Sequence, residues 1–174
     1  YFLTNNISTS NRFVFGSNTV ISSSDSFNTT LTYTGTGDMF TFSNGLAGVK
    51  EIGISCANGT FLNTSAVAVG NLLLRWILLY QVKNLGSINA PATGIYNLFI
   101  QSHTGQGFTV GSVINRRLNV DSFTVQSTTD ATSIFVDLGN ATFTSLNIEN
   151  VNIASSVVGQ KFLKGLASSA NLVA

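Results

Sequence analysis

Apolar residues along the chain come in short runs of Val, Ile, Leu, Phe and Thr, interrupted every few residues by Ser, Asn and Gly. Runs such as Arg12-Phe13-Val14-Phe15, Met39-Phe40-Thr41-Phe42 and Glu51-Ile52-Gly53-Ile54 carry the signature of strands and lack the 3.6-residue period of a helix. The most apolar stretch, Asn71 to Val82, alternates as a strand with Leu72, Leu74, Trp76, Leu78, Tyr80 and Val82 on one face. Its other face, Leu73, Arg75, Ile77, Leu79 and Gln81, is also largely apolar, which predicts burial on both sides.

Similar blocks return along the chain. Phe108, Phe135 and Phe162 open similar apolar stretches 27 residues apart. Leu118-Asn119-Val120-Asp121-Ser122-Phe123-Thr124-Val125 aligns at offset 28 with Leu146-Asn147-Ile148-Glu149-Asn150-Val151-Asn152-Ile153, apolar on apolar and Asn119 on Asn147. Val49-Lys50-Glu51-Ile52-Gly53-Ile54 echoes Val82 to Ile88 at offset 33, and Asn97-Leu98-Phe99-Ile100 precedes the Asn119 block by 22. Units of about 22 to 33 residues with short strands and variable turns predict an all-β fold, a parallel β-helix or β-solenoid. Matching positions then stack about 4.8 Å apart into apolar columns, and Asn84, Asn119 and Asn147 are expected to form an amide ladder at a turn. An antiparallel sandwich, with strands alike by composition alone, is the alternative.

Length and composition narrow the class. The 174 residues suit one domain, and the chain is expected to be a single domain over 1–174, a piece of something longer. Only 9% of residues are charged, eight Lys plus Arg against seven Asp plus Glu, so no basic surplus favours a nucleic-acid partner. The apolar run Leu72 to Leu79 contains Arg75 and is far shorter than the ~20 residues that cross a bilayer, so no membrane insertion is expected. Cys56 stands alone, which excludes an intrachain disulfide and reads as a small buried hydrophobe.

The stretch Leu31-Thr32-Tyr33-Thr34-Gly35-Thr36-Gly37-Asp38-Met39-Phe40-Thr41-Phe42-Ser43-Asn44-Gly45, followed by Val49 to Ser55, resembles an early coil of the right-handed parallel β-helix, pectin-lyase-like superfamily. Within that superfamily the chain is closest in character to bacteriophage tailspike and tail fibre proteins, and the resemblance runs from about Phe13 to Val158. It implies a homotrimer that binds host surface polysaccharide, located in the virion tail or otherwise extracellular. A trimer contact would also cover the doubly apolar segment Leu72 to Val82.

Candidate chemistry is sparse. The seven carboxylates are Asp25, Asp38, Glu51, Asp121, Asp130, Asp137 and Glu149. Asp121 and Glu149 share a position in the offset-28 alignment, which would set their carboxyls about 5 Å apart, the separation of a retaining glycosidase pair. Strand alternation beside Val120 and Ile148 turns both acids outward. The superfamily's Gly-His-Gly, Asp-Asp and clustered-Asp signatures are missing, and pectinolytic activity is therefore not expected. Arg116-Arg117 reads as an exposed basic pair at a turn, and His103 lies in a Gly-rich turn without metal-binding partners. No cofactor motif occurs, and no cofactor or metal is expected. Trp76, Tyr80 and Tyr96 are the candidate sugar platforms, because their rings stack on apolar sugar faces. The leading expectation is a noncatalytic, receptor-binding β-helix of a phage tail spike or fibre. The alternatives are a polysaccharide depolymerase working through Asp121 and Glu149, and a secreted bacterial adhesin module.

Overall fold

The computed structural model describes residues 1–24, 28–43, 45–64, 69–111, 116–129, 134–154, 160–165 and 172–173, and every regular element among them is a β-strand. Asp25, Asn44 and Asp130, singled out by the sequence, lie outside the described residues. In chain order the strands are β1 (Phe2–Leu3), β2 (Ile7–Thr9), β3 (Phe13–Phe15), β4 (Thr19–Ser23), β5 (Thr30–Tyr33), β6 (Asp38–Phe42), β7 (Gly45–Asn63) and β8 (Val69–Ile88). They continue as β9 (Ala92–Ile100), β10 (Phe108–Val110), β11 (Arg116–Val125), β12 (Ile134–Asp137), β13 (Phe143–Ile153), β14 (Lys161–Lys164) and β15 (Leu172–Val173).

All pairings are parallel, and each strand pairs with its counterpart one coil away, so the chain winds as a β-solenoid with three faces. On the first face the order is β1-β4-β7-β8-β9-β11-β13-β15. The second face begins with β2 and β5 and continues through the middle of β7 and β8 and the ends of β9, β11 and β13. The third stacks β3, β6, the ends of β7 and β8, then β10, β12 and β14. The parallel solenoid, and not the sandwich, is the architecture.

Inside, the expected columns are present. Val49, Leu74, Ile95 and Val120 stack in register, as do Ile52, Ile77, Leu98 and Phe123, and Ile54, Leu79, Ile100 and Val125, all fully buried. Burial of this apolar surface is the principal force holding coil to coil. Phe13, Phe15, Phe40, Phe42 and Phe61 form a chain of ring contacts within the early coils, with centroids 5.3 to 6.3 Å apart.

From β7 onward the first and second faces join at a single residue per coil. Glu51, Trp76, Asn97, Ser122 and Asn150 all have φ between 52° and 61°, the left-handed region, and the corner recurs at intervals of 21 to 28 residues. One left-handed residue turns the chain and advances the in-out alternation by one step. This corrects the reading of Asn71 to Val82 as one evenly alternating strand: Leu72 and Leu74 point inward before the corner, Ile77, Leu79 and Val82 after it. Leu73, Arg75, Trp76, Leu78 and Tyr80 face outward and are partly or well exposed, so the segment is not buried on both faces.

The offset-28 alignment holds residue for residue from Leu118↔Leu146 to Val125↔Ile153, apart from the corner residues Ser122 and Asn150, which lie unpaired between Asp121↔Glu149 and Phe123↔Val151. The offset-33 echo does not hold, because Val49 pairs with Leu74 on the first face whereas Val82 to Ile88 continue toward the third. Asn97 stands a coil above Ser122, not above Asn119, whose partner is Gly94. Phe108 pairs with Val136, one residue beyond Phe135.

Candidate functional site

Parallel stacking converts sequence positions into longitudinal columns on the outer surface. On the first face, next to the corner, Lys50, Arg75, Tyr96, Asp121 and Glu149 stand in successive register. The expected adjacency of Asp121 and Glu149 on neighbouring strands is thus present, and both side chains point outward. Each carboxylate is held by an amide: Asn150 Nδ2 donates to Asp121 Oδ1 at 2.9 Å, and Asn147 Nδ2 to Glu149 Oε1 at 2.8 Å.

One column inward, the amide ladder forms on the strand itself and with a different membership. Asn147 Nδ2 donates to Asn119 Oδ1 at 3.0 Å, and Asn119 Nδ2 donates to the Tyr96 hydroxyl at 2.9 Å. Asn84 is not a rung, since it lies on the third face and its Oδ1 accepts the Gln106 backbone N–H. The Tyr96 ring fills the space above Gly94, where a Cβ would collide with it. This glycine lets the ring lie close to the sheet and carry its hydroxyl to Asn119.

The three aromatic candidates are not gathered in one place. Trp76 occupies the corner with 41% of its surface exposed. Around the bend it lines a groove of about 390 Å³ with Leu78, Asn97, Phe99, Ser122 and Thr124, drawn from three successive coils. Phe99, 38% exposed, is the groove's second aromatic, and its ring lacks the polar tip by which Trp76, Tyr80 and Tyr96 stood out in the sequence. No charged side chain lines this groove. Tyr80 lies further along the second face in a polar depression with Gln81, Gln101, Ser102, Gln126 and Ser127, its ring against Gly53. Trp76, Leu78 and Tyr80 face outward in alternation from the corner onward, but the two rings line separate depressions.

Arg116 sits differently from expectation, whereas His103 lies in a turn as expected. Arg116 is fully buried and not an exposed partner of Arg117. Its guanidinium donates to the carbonyls of Ile88 at 3.3 Å and Gly111 at 2.9 Å, and burial pushes its pKa down to about 10. His103 is buried in the turn between the second and third faces, with Nε2 3.1 Å from the Gln106 carbonyl and its ring 5.3 Å from Phe135. Comparison with protein-family models, with curated proteins and with solved structures finds no match.

Proposed function

We propose that the chain is a noncatalytic carbohydrate-binding β-solenoid of the phage tail spike or fibre kind, attaching to host surface polysaccharide through the corner groove. One observation carries this reading. A bulky side chain at positive φ costs about 1 to 2 kcal/mol, and such strain concentrates at functional sites. Trp76 bears that cost while 41% of its surface stays exposed, so packing offsets it only in part. What the corner provides is an indole presented beside Phe99 and flanked by the hydrogen-bonding groups of Asn97, Ser122 and Thr124. An apolar platform edged by neutral polar groups fits a sugar ring, and the uncharged lining favours neutral glycans.

Trp76 is the single tryptophan of the chain, so its fluorescence reports the groove alone. Titration with purified neutral O-polysaccharides is expected to shift and quench the emission, and Trp76→Ala to weaken binding on a glycan array by about tenfold or more. Binding of equal strength in the variant, or none across the array, would overturn the proposal.

A depolymerase reading is favoured by the in-register pair Asp121 and Glu149. Release of reducing ends from a bound polysaccharide, abolished in both Asp121→Asn and Glu149→Gln, would establish it in place of the noncatalytic role.

A further inference from the structure

The outward column beside the corner reads, coil by coil, Lys50, Arg75, Tyr96, Asp121, Glu149: two cations, a tyrosine, two anions. None of these four charges is in an ion pair, since the one ion pair among the described residues is Lys164 to Asp137 on the third face. The order is self-complementary. A two-fold axis along the strand direction through Tyr96 brings a second copy face to face with the solenoids antiparallel. Arg75 then meets the second copy's Asp121, Lys50 meets its Glu149, and the two Tyr96 rings face each other at the axis. Because the steps of both columns have the same ~4.8 Å rise, all four opposite pairs fall into register together. Parallel face-to-face docking instead sets Lys50 on Lys50 and Glu149 on Glu149, which like-charge repulsion opposes.

We infer that the first face is a self-docking surface on which two copies of this chain pair antiparallel about Tyr96. The neighbouring column of the same face is compatible: Leu73 faces Asn119 and Gly48 faces Asn147, with no like charges opposed. About five coils at ~4.8 Å and about five residues at ~3.3 Å give roughly 400 Å² per copy, about half of what each partner contributes to a standard stable interface. The pairing is accordingly concentration-dependent and, resting on exposed charges, sensitive to salt. The corner groove is lined from the corner and the second face, around the bend from this surface.

Sedimentation equilibrium of the 174-residue chain tests the inference. The weight-average mass is expected to climb from one chain toward two with concentration at low salt, and to stay at one in roughly 1 M salt, where the screening length falls to ~3 Å. Lys50→Glu with Arg75→Glu makes the column wholly anionic, and Asp121→Lys with Glu149→Lys makes it wholly cationic. Each double variant alone is expected to remain monomeric, and an equimolar mixture to recover the dimer, which a misfolded variant could not do. For orientation, Lys50→Cys mixed with Glu149→Cys is expected to cross-link under oxidation, while neither cross-links with itself. A monomer at every concentration, the homotrimer implied by the resemblance, a dimer indifferent to charge reversal, or Lys50→Cys self-linking would each overturn it.

Discussion

At the scale of single residues, enclosure within the coils governs ionisation. Cys56 is fully buried, and desolvation pushes its thiol pKa from 9.0 up to about 11 despite the Gly59 N–H that favours the thiolate. In the unfolded chain the thiol ionises first, so the native state loses stability as pH rises from 9 to about 11, by about 2 to 3 kcal/mol at the upper end. Denaturant unfolding of the native chain is expected to show this loss, and Cys56→Ala to lack that component of the slope. The burial of Cys56 was legible from its isolation and its apolar surroundings. That of Arg116 was not, because the carbonyls receiving its guanidinium come from Ile88 and Gly111, and an adjacent basic pair carries no local sign of them.

The distinctive element is the one-residue corner. Asn97 and Asn150 suit the left-handed region better than most side chains do, whereas Ser122, Glu51 and Trp76 fill it at a cost. Ser122→Gly is expected to stabilise the chain by about 0.5 to 1 kcal/mol and Ser122→Val to destabilise it by about 1 to 2 kcal/mol, as read from denaturation midpoints. Opposite signs at one position separate a backbone effect from lost packing. The offset-28 repeat was readable because β11 and β13 cross the corner at the same point of their patterns, leaving apolar matches intact on both sides. The corner itself was hidden: its five residues are of four different types, and a single step in phase makes β8 look evenly alternating. The false offset-33 echo has a related origin, since segments on different faces obey the same inward-outward rule and resemble one another without stacking.

For the whole molecule, stability is a sum over coils and the contacts between neighbours. A coil in the middle of the stack has two such contacts and an end coil one. Amide hydrogen exchange is therefore expected to be slowest in β8 and β9 and progressively faster toward β2 and β14. Uniform protection from end to end would show the solenoid opening as one unit instead. Because the hydrogen bonds that join coils run along the stack, a pull on the two chain ends loads each inter-coil seam in turn rather than all together. The chain would yield like thread from a spool, each lost coil of some 25 residues paying out roughly 80 to 90 Å at modest tension. Such a molecule lengthens under load before it lets go of whatever its central coils hold.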